Sequence, residues 1–338
     1  MTVPLATALD LMLAILFMAS ALAQSPEFNV DLHLDTPTQM LNKGLHLDAS
    51  SGLEASTPLL RQAGTNVVVQ VLWPPSKSDH KARAFALLEV MEREIARDDV
   101  LVLAREPSEA EAAVRADQIA VLLSMEGAHG LGSGSDWSQV FDQFYERGLR
   151  LMGITWSFSN RFAGSSGDGG RGLTDEGRAL VAQARAKRVI LDVSHASRQT
   201  TMEICRDSPQ PVIASHSNAH VLRGHARNLT DEEVRCIAQT GGVIGLNFHA
   251  TFVGAPGNAN VSRVADHADY LAKIGGHEVV ALGSDFDGYI KKPTGLEDAS
   301  KVPALWAELA RRGWTEDQLR GVRGENFMRA WRRARTSD

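Results

Sequence analysis

Cysteine is nearly absent. The 338 residues carry two, Cys205 and Cys236. No disulfide framework is encoded, and either one isolated bridge or two buried thiols fits. Aromatic residues are sparse at 6%, against 43% hydrophobic residues overall, which predicts a large aliphatic core. Excess positive charge is missing too. The formal net charge is −6, so there is no electrostatic footprint for nucleic acid. No internal repeat or low-complexity tract occurs. The C-terminus, "MRAWRRARTSD", has no apolar tail, so a lipid anchor of the tail-replacement kind is not expected.

The other end is different in kind. "LMLAILFMASALA", Leu11 to Ala23, is an apolar run closing on Ala21-Leu22-Ala23, a small-residue cleavage pattern. It is too short for a comfortable membrane span. Residues 1–23 read as a signal peptide, which predicts export to a periplasmic or extracellular compartment and no membrane span after processing. The segment before the run has no Lys or Arg and carries Asp10, so a retained anchor or a misplaced start is the alternative. Residues 24–338 remain for one catalytic domain, a length ordinary for an α/β barrel.

Beyond residue 24, short apolar runs alternate with helical patterns. The runs are "FNVDLHLD", "TNVVVQVLW", "IAVLLSMEG", "LRLMGITW", "RVILDVSH", "PVIASHS", "GGVIGLNF" and "VVALGSDFDG". Between most of them lies an amphipathic segment. "HKARAFALLEVMEREIARDD" places Phe85, Leu88 and Ile95 near one face. "TDEEVRCIAQTGG" opens on a capping box, Thr230 and Glu233, and closes on glycines. Continuous apolar strands alternating with helices predict a parallel sheet covered on both sides. Eight such units predict a (β/α)8 TIM-type barrel; an open doubly wound sheet is the alternative. A short ninth run, "VLVLA" from Val100, fits an extra strand.

The tripeptide H-x-D occurs at His33–Asp35, His46–Asp48 and His267–Asp269. In an extended strand, residues two apart point to the same side, which sets imidazole beside carboxylate as a metal ion requires. Only the first copy continues an apolar run. The second follows the polar "LNKG" and reads as a solvated loop. The third lies inside a helical pattern, where positions two apart diverge.

The strand ends then fall into order. The first run ends in His33 and Asp35, the third in Glu126, the fifth in His195, the sixth in His216 and the eighth in Asp285. In a parallel barrel all those ends converge on one mouth. Taken singly, each residue has an ordinary explanation as a cap, a core histidine or a turn former. All of them at strand ends together are harder to dismiss and point to a metal site, because buried ionisable groups are costly unless paired or metal-bound. His129 and Asp287 sit nearby and read as supporting or loop residues. Imidazole nitrogen and carboxylate oxygen suit Zn²⁺. Five ligands exceed one open catalytic site but suit two ions sharing a carboxylate, about 3.5–4 Å apart, with a hydroxide between them. Asp285 is then free to move protons.

On "DLHLDT", "SMEGAHG", "LDVSHAS", "ASHSNA", "ARNLTDEEVRCIAQTGGVIGLNF" and "LGSDFDG", the chain resembles the membrane (renal) dipeptidase family, zinc peptidases of the amidohydrolase-type barrel, from about Val30 to Gly288. The resemblance implies two zinc ions per chain. One would sit on His33 and Asp35 and the other on His195 and His216, with Glu126 bridging them. It makes Asp285 the group that holds the hydroxide, accepts its proton and passes it to the departing amine. It gives Arg227 the substrate's C-terminal carboxylate, a role that suits a guanidinium in a loop at the barrel mouth. The implied partner is a small dipeptide, and a homodimer stays open.

One departure stands out. In "GITWSFSNRF" the mammalian members of the family carry a histidine at Trp156, associated with the substrate carbonyl. Indole offers one N–H donor and bears no charge. Trp156 therefore donates that bond, or shapes the pocket, or is simply wall. The rival activities are hydrolysis of a lactam, cyclic amide or ester at the same site. A metal-stabilised binding protein without turnover is the rival of another class.

Overall fold

The structure is a computed structural model that describes residues 26–75 and 79–336. The expected signal segment at residues 1–23 lies outside them. Among the described residues no helix is long and apolar enough to cross a membrane.

Among the described residues nine strands follow one another as β1 (Val30–Leu34), β2 (Val67–Leu72), β3 (Leu101–Leu103), β4 (Ile119–Glu126), β5 (Leu149–Gly153), β6 (Ile190–Asp192), β7 (Val212–Ile213), β8 (Ile244–Leu246) and β9 (Val280–Leu282). All pair in parallel, in the order β1-β2-β4-β5-β6-β7, with β8-β9 as a second ribbon. Two single bridges join the pieces. Ala214 pairs with Ile244 beyond β7, and Phe286 pairs with Leu34 beyond β9. Backbone bonds from Asp285 N to the His33 carbonyl and from Asp35 N to the Phe286 carbonyl tie the last strand to the first. The eight apolar runs thus make the eight-stranded barrel that the spacing predicts, and the open-sheet alternative falls away.

The ninth run, β3, is an accessory strand. It pairs with Ile119–Val121 at the start of β4, while β5 pairs with the same strand from Leu123 onward. β2 occupies the opposite edge of β4, so β3 and β5 share one edge end to end. β3 therefore takes no place of its own in the ring.

Helices fill the connections. The capping box at Thr230 and Glu233 is formed and starts the helix Asp231–Gln239. The helix His80–Arg97 buries Ala84, Leu87, Leu88 and Met91. Phe85 and Ile95, expected on the same face as Leu88, are only partly covered and flank that stripe. The i, i+3, i+4 rule found the helix but set the centre of its apolar face too close to its edge. Cys205 and Cys236 form a disulfide, with Cα atoms 6.0 Å apart. It joins the helix Arg198–Cys205 to the helix Asp231–Gln239 and settles the choice left open by composition.

Candidate metal centre

Every candidate ligand leaves the C-terminal end of a barrel strand. His33 lies in β1 and Asp35 just beyond it, and Glu126 is the last residue of β4. His195, His216 and Asp285 each sit three residues past β6, β7 and β9. The six side chains converge. Glu126 Oε1 stands 2.9 Å from His195 Nε2, 3.5 Å from His216 Nε2 and 3.7 Å from His33 Nε2. His33 Nε2 is also 3.8 Å from Asp35 Oδ2. Two groups have donor atoms mutually within 4.8 Å: His33 with Glu126 and His216, and His33 with Asp35 and Asp285. The two sets share the ring of His33.

Local backbone features aim these groups. His195 and Asp285 adopt left-handed conformations, φ 66° and 65°, as does Asp287 at 64°. Such backbone costs on the order of 1–3 kcal/mol in a non-glycine residue and persists where the surroundings over-determine it. At Asp285 the turned amide is captured by the His33 carbonyl. Two buried aspartates bind the strand ends together. Asp31 Oδ1 accepts from the amides of His33 and Ser284, and Asp192 Oδ1 from those of Ser194 and Ser215. Gly288 leaves room for the carboxylates: a Cβ there would meet Asp285 Oδ1 at 2.6 Å and Asp35 Oδ2 at 2.7 Å, so one of them would have to shift.

The electrostatics show what such a cluster lacks. Burial, then the nearby carboxylates, push Asp35 well up; burial and the neighbouring Asp285 do the same to Glu126. Burial, reinforced by the Arg227 charge, drives His33 down to about 3 and depresses His195 and His216. Each group is thus pressed toward its neutral form by loss of water. Bound cations reverse that pressure for the carboxylates and use the imidazole lone pairs. The orphaned atoms agree: His33 Nε2 and Asp35 Oδ1 are buried with no hydrogen-bond partner. A buried set of imidazoles and carboxylates that leaves these two inward atoms unpaired and brings His195 Nε2 within 3.0 Å of His216 Nε2 fits divalent metal.

The cluster forms the floor of a cavity of about 320 Å³ whose walls include Trp73, Trp156, His249 and Phe252. Trp156 is half-buried, and its ring centroid lies 5.0 Å from that of Trp73. Asp285 faces the same cavity and accepts a hydrogen bond from Asn247 Nδ2 at 3.0 Å. Burial raises its carboxyl to about 6. Arg227 is buried beneath, in the loop after β7, and is not among the lining residues. Its Nη2 donates to the His216 carbonyl at 3.0 Å and its Nη1 to Ser217 Oγ at 3.3 Å, while Nε has no partner. Asn247 and Trp73 were not singled out in the sequence. Both lie at ends of runs, "GLNF" and "VLW", where the strand-end rule applies.

The other H-x-D copies go elsewhere. His46 bonds Glu94, and Asp48 pairs with Arg97. His267 is a core residue whose Nδ1 accepts from Ala219 N and whose Nε2 donates to the Val253 carbonyl. Its companion Asp269 bonds Arg312 and Trp314. Of the two supporting residues, His129 donates to the Pro74 carbonyl, and Asp287 accepts from Thr36 and from Glu54 N.

A parallel barrel with imidazoles and carboxylates gathered at its mouth is an architecture for metal-dependent hydrolysis. The family model for membrane dipeptidase, peptidase family M19, matches residues 19–338, and the chain belongs to that family. It is a peptide-bond hydrolase that depends on metal. Among solved structures it is similar to the metallopeptidase dipeptidase AC, 27% identical over 92% of this chain and 99% of that one, with a TM-score of 0.84. A metallopeptidase from Rhodobacter sphaeroides, liganded with a phosphinate mimic of the dipeptide L-Ala-D-Ala, is 26% identical over 91% of this chain and 99% of that one, TM-score 0.82. The probable dipeptidase PvdM from Pseudomonas aeruginosa, at 20% identity, 92% and 96% coverage and TM-score 0.84, shares the fold.

Proposed function

We propose that the chain is a two-zinc dipeptidase of an exported compartment, with one catalytic domain at residues 24–338 behind a signal segment at 1–23. The observation that carries the reading is the meeting of three imidazole Nε2 atoms on one carboxylate oxygen, Glu126 Oε1, under an open cavity. His33 and Asp35 would hold one ion, His195 and His216 the other, and Glu126 both. When bound, the ions supply a water of lowered pKa and polarise the scissile carbonyl.

Asp285 is the proton carrier. Asn247 fixes one of its oxygens and so aims the carboxylate at the cavity. It takes the proton of the attacking water and returns it to the amine nitrogen as the C–N bond breaks. Arg227 supplies a buried positive charge close to the site that favours a substrate with a free carboxylate. Trp156 and Trp73 form an apolar wall that fits a small side chain and excludes water. The disulfide supports an oxidising compartment.

Metal analysis combined with hydrolysis of a dipeptide panel tests this reading. L,L and L,D members both belong in it, since the Rhodobacter relative takes a mimic of an L,D dipeptide. The expected result is two zinc ions per chain, with turnover lost in chelator and restored by zinc. Turnover that survives complete metal removal, or a zinc-loaded chain inert on every dipeptide, would overturn it.

A further inference from the structure

The three imidazoles turn their Nε2 atoms toward Glu126, so their Nδ1 atoms face outward. What those outer nitrogens touch is unusual. A metal-bound histidine commonly gives its second N–H to a carboxylate, a backbone carbonyl or water. Here the partners are serine hydroxyls. His33 Nδ1 lies 3.1 Å from Ser215 Oγ, and His216 Nδ1 lies 2.8 Å from the same atom. His195 Nδ1 faces a different serine, Ser157, at 3.4 Å.

We infer that Ser215 is a positioning residue that orients one histidine of each metal position through a single shared oxygen. A hydroxyl oxygen has two lone pairs and one proton. Two N–H donors, from His33 and His216, fill the lone pairs. The remaining proton points to Ser194 Oγ, 3.5 Å away. Only that arrangement leaves both rings with a bare Nε2 lone pair on the inner side, where a metal binds. The opposite tautomer of either ring puts a proton on the ligating nitrogen.

Ser215 is also held more firmly than a typical hydroxyl. Its side chain is in a buried residue, and its amide is fixed by Asp192 Oδ1 at 2.9 Å. Its carbonyl is packed so tightly that a Cβ on Gly245 or Gly283 would come within 1.9 or 1.7 Å of it. The neighbouring strands thus clamp the backbone that carries the shared Oγ. Loss of this one oxygen should therefore weaken both metal positions, whereas loss of the Ser157 hydroxyl should weaken one at most.

The inference rests on the ligand reading above, and the test separates the two. Apoprotein is titrated with Zn²⁺ by calorimetry, for the native chain, Ser215→Ala and Ser157→Ala, with circular dichroism as the check on folding. The native chain should take two ions. Ser215→Ala should lose affinity for both, each by about 10- to 100-fold. Ser157→Ala should lose affinity for no more than one. A native chain that binds no ion overturns the ligand assignment and this inference with it. A native chain that binds two, beside a Ser215→Ala variant that matches it or loses only one, overturns the shared role of Ser215 alone. If Ser215→Ala fails to fold, nitrogen NMR of ¹⁵N-histidine in the zinc-loaded native protein decides. His33 and His216 should both carry their proton on Nδ1, and an Nε2-protonated ring at either position refutes the proposal.

Discussion

Asn247 Nδ2 donates to Asp285 Oδ2 at 3.0 Å, and this bond joins the end of β8 to the one carboxylate that faces the cavity without an assigned metal. Asp285 is also hydrogen-bonded to the carboxyl of Asp35. Asp285→Asn should keep both metal ions and lower kcat by about 100-fold or more, the usual weight of a general acid–base group. Asn247→Ala should cost less, because it loosens the carboxylate without removing it. Steady-state rates normalised to metal content check both. A metal-replete Asp285→Asn variant with native turnover would remove Asp285 from the chemistry.

Arg227 predicts a selective loss. Arg227→Ala should raise KM for dipeptides by about 10- to 100-fold, the worth of a charge-assisted bond. Dipeptide amides, which lack the carboxylate, should be hardly affected. Because the guanidinium also supports the His216 carbonyl and Ser217, melting temperature is measured alongside. Equal losses on both substrate series would make Arg227 a structural residue.

Gly288 tests the carboxylate geometry without touching a carboxylate. An added methyl would lie 2.6 Å from Asp285 Oδ1 and 2.7 Å from Asp35 Oδ2. Gly288→Ala should displace both groups, weaken zinc binding and lower kcat, with little change in melting temperature. Native metal affinity in this variant would show that the two oxygens move apart freely.

The disulfide closes a loop across a sequence separation of 31 residues. Chain entropy for such a loop is worth about 3.7 kcal/mol at 25 °C. Replacing Cys205 and Cys236 with Ser should lower the denaturant midpoint accordingly. Turnover at 25 °C should be unchanged, because the bridge joins two outer helices. A midpoint equal to that of the native protein would mean that the pair adds nothing to stability.

His267 predicts a pH effect on stability. Burial lowers it to about 4, and both ring nitrogens are already engaged in the neutral form. Between about pH 6.5 and 4 the unfolded chain binds a proton at this site and the folded chain does not. Folding should therefore weaken as pH falls through that window, by about 1.4 kcal/mol per unit. In apoprotein, His267→Gln should show a slope shallower by one proton. Identical slopes would show that His267 titrates normally in the fold.

The barrel was legible in the sequence because each buried parallel strand writes itself as an apolar run, and eight runs leave few other closures. The ends of those runs also marked where the polar groups of the site leave the sheet. The three H-x-D copies show where pattern stops. Strand context separated His33 from His46 and His267, but nothing local could tell that Glu94 would take His46 or that Val253 would hold His267 in the core.

The residue types and the strand that carries each were settled by the chain itself, since both follow from local periodicity. Which atoms meet was decided only by closure of the ring. That closure sets Asn247 against Asp285 and brings His33 and His216, 183 positions apart in the numbering, to within hydrogen-bond reach of one serine oxygen. Such contacts depend on the mutual offset of strands distant in sequence, a quantity that no short-range pattern encodes.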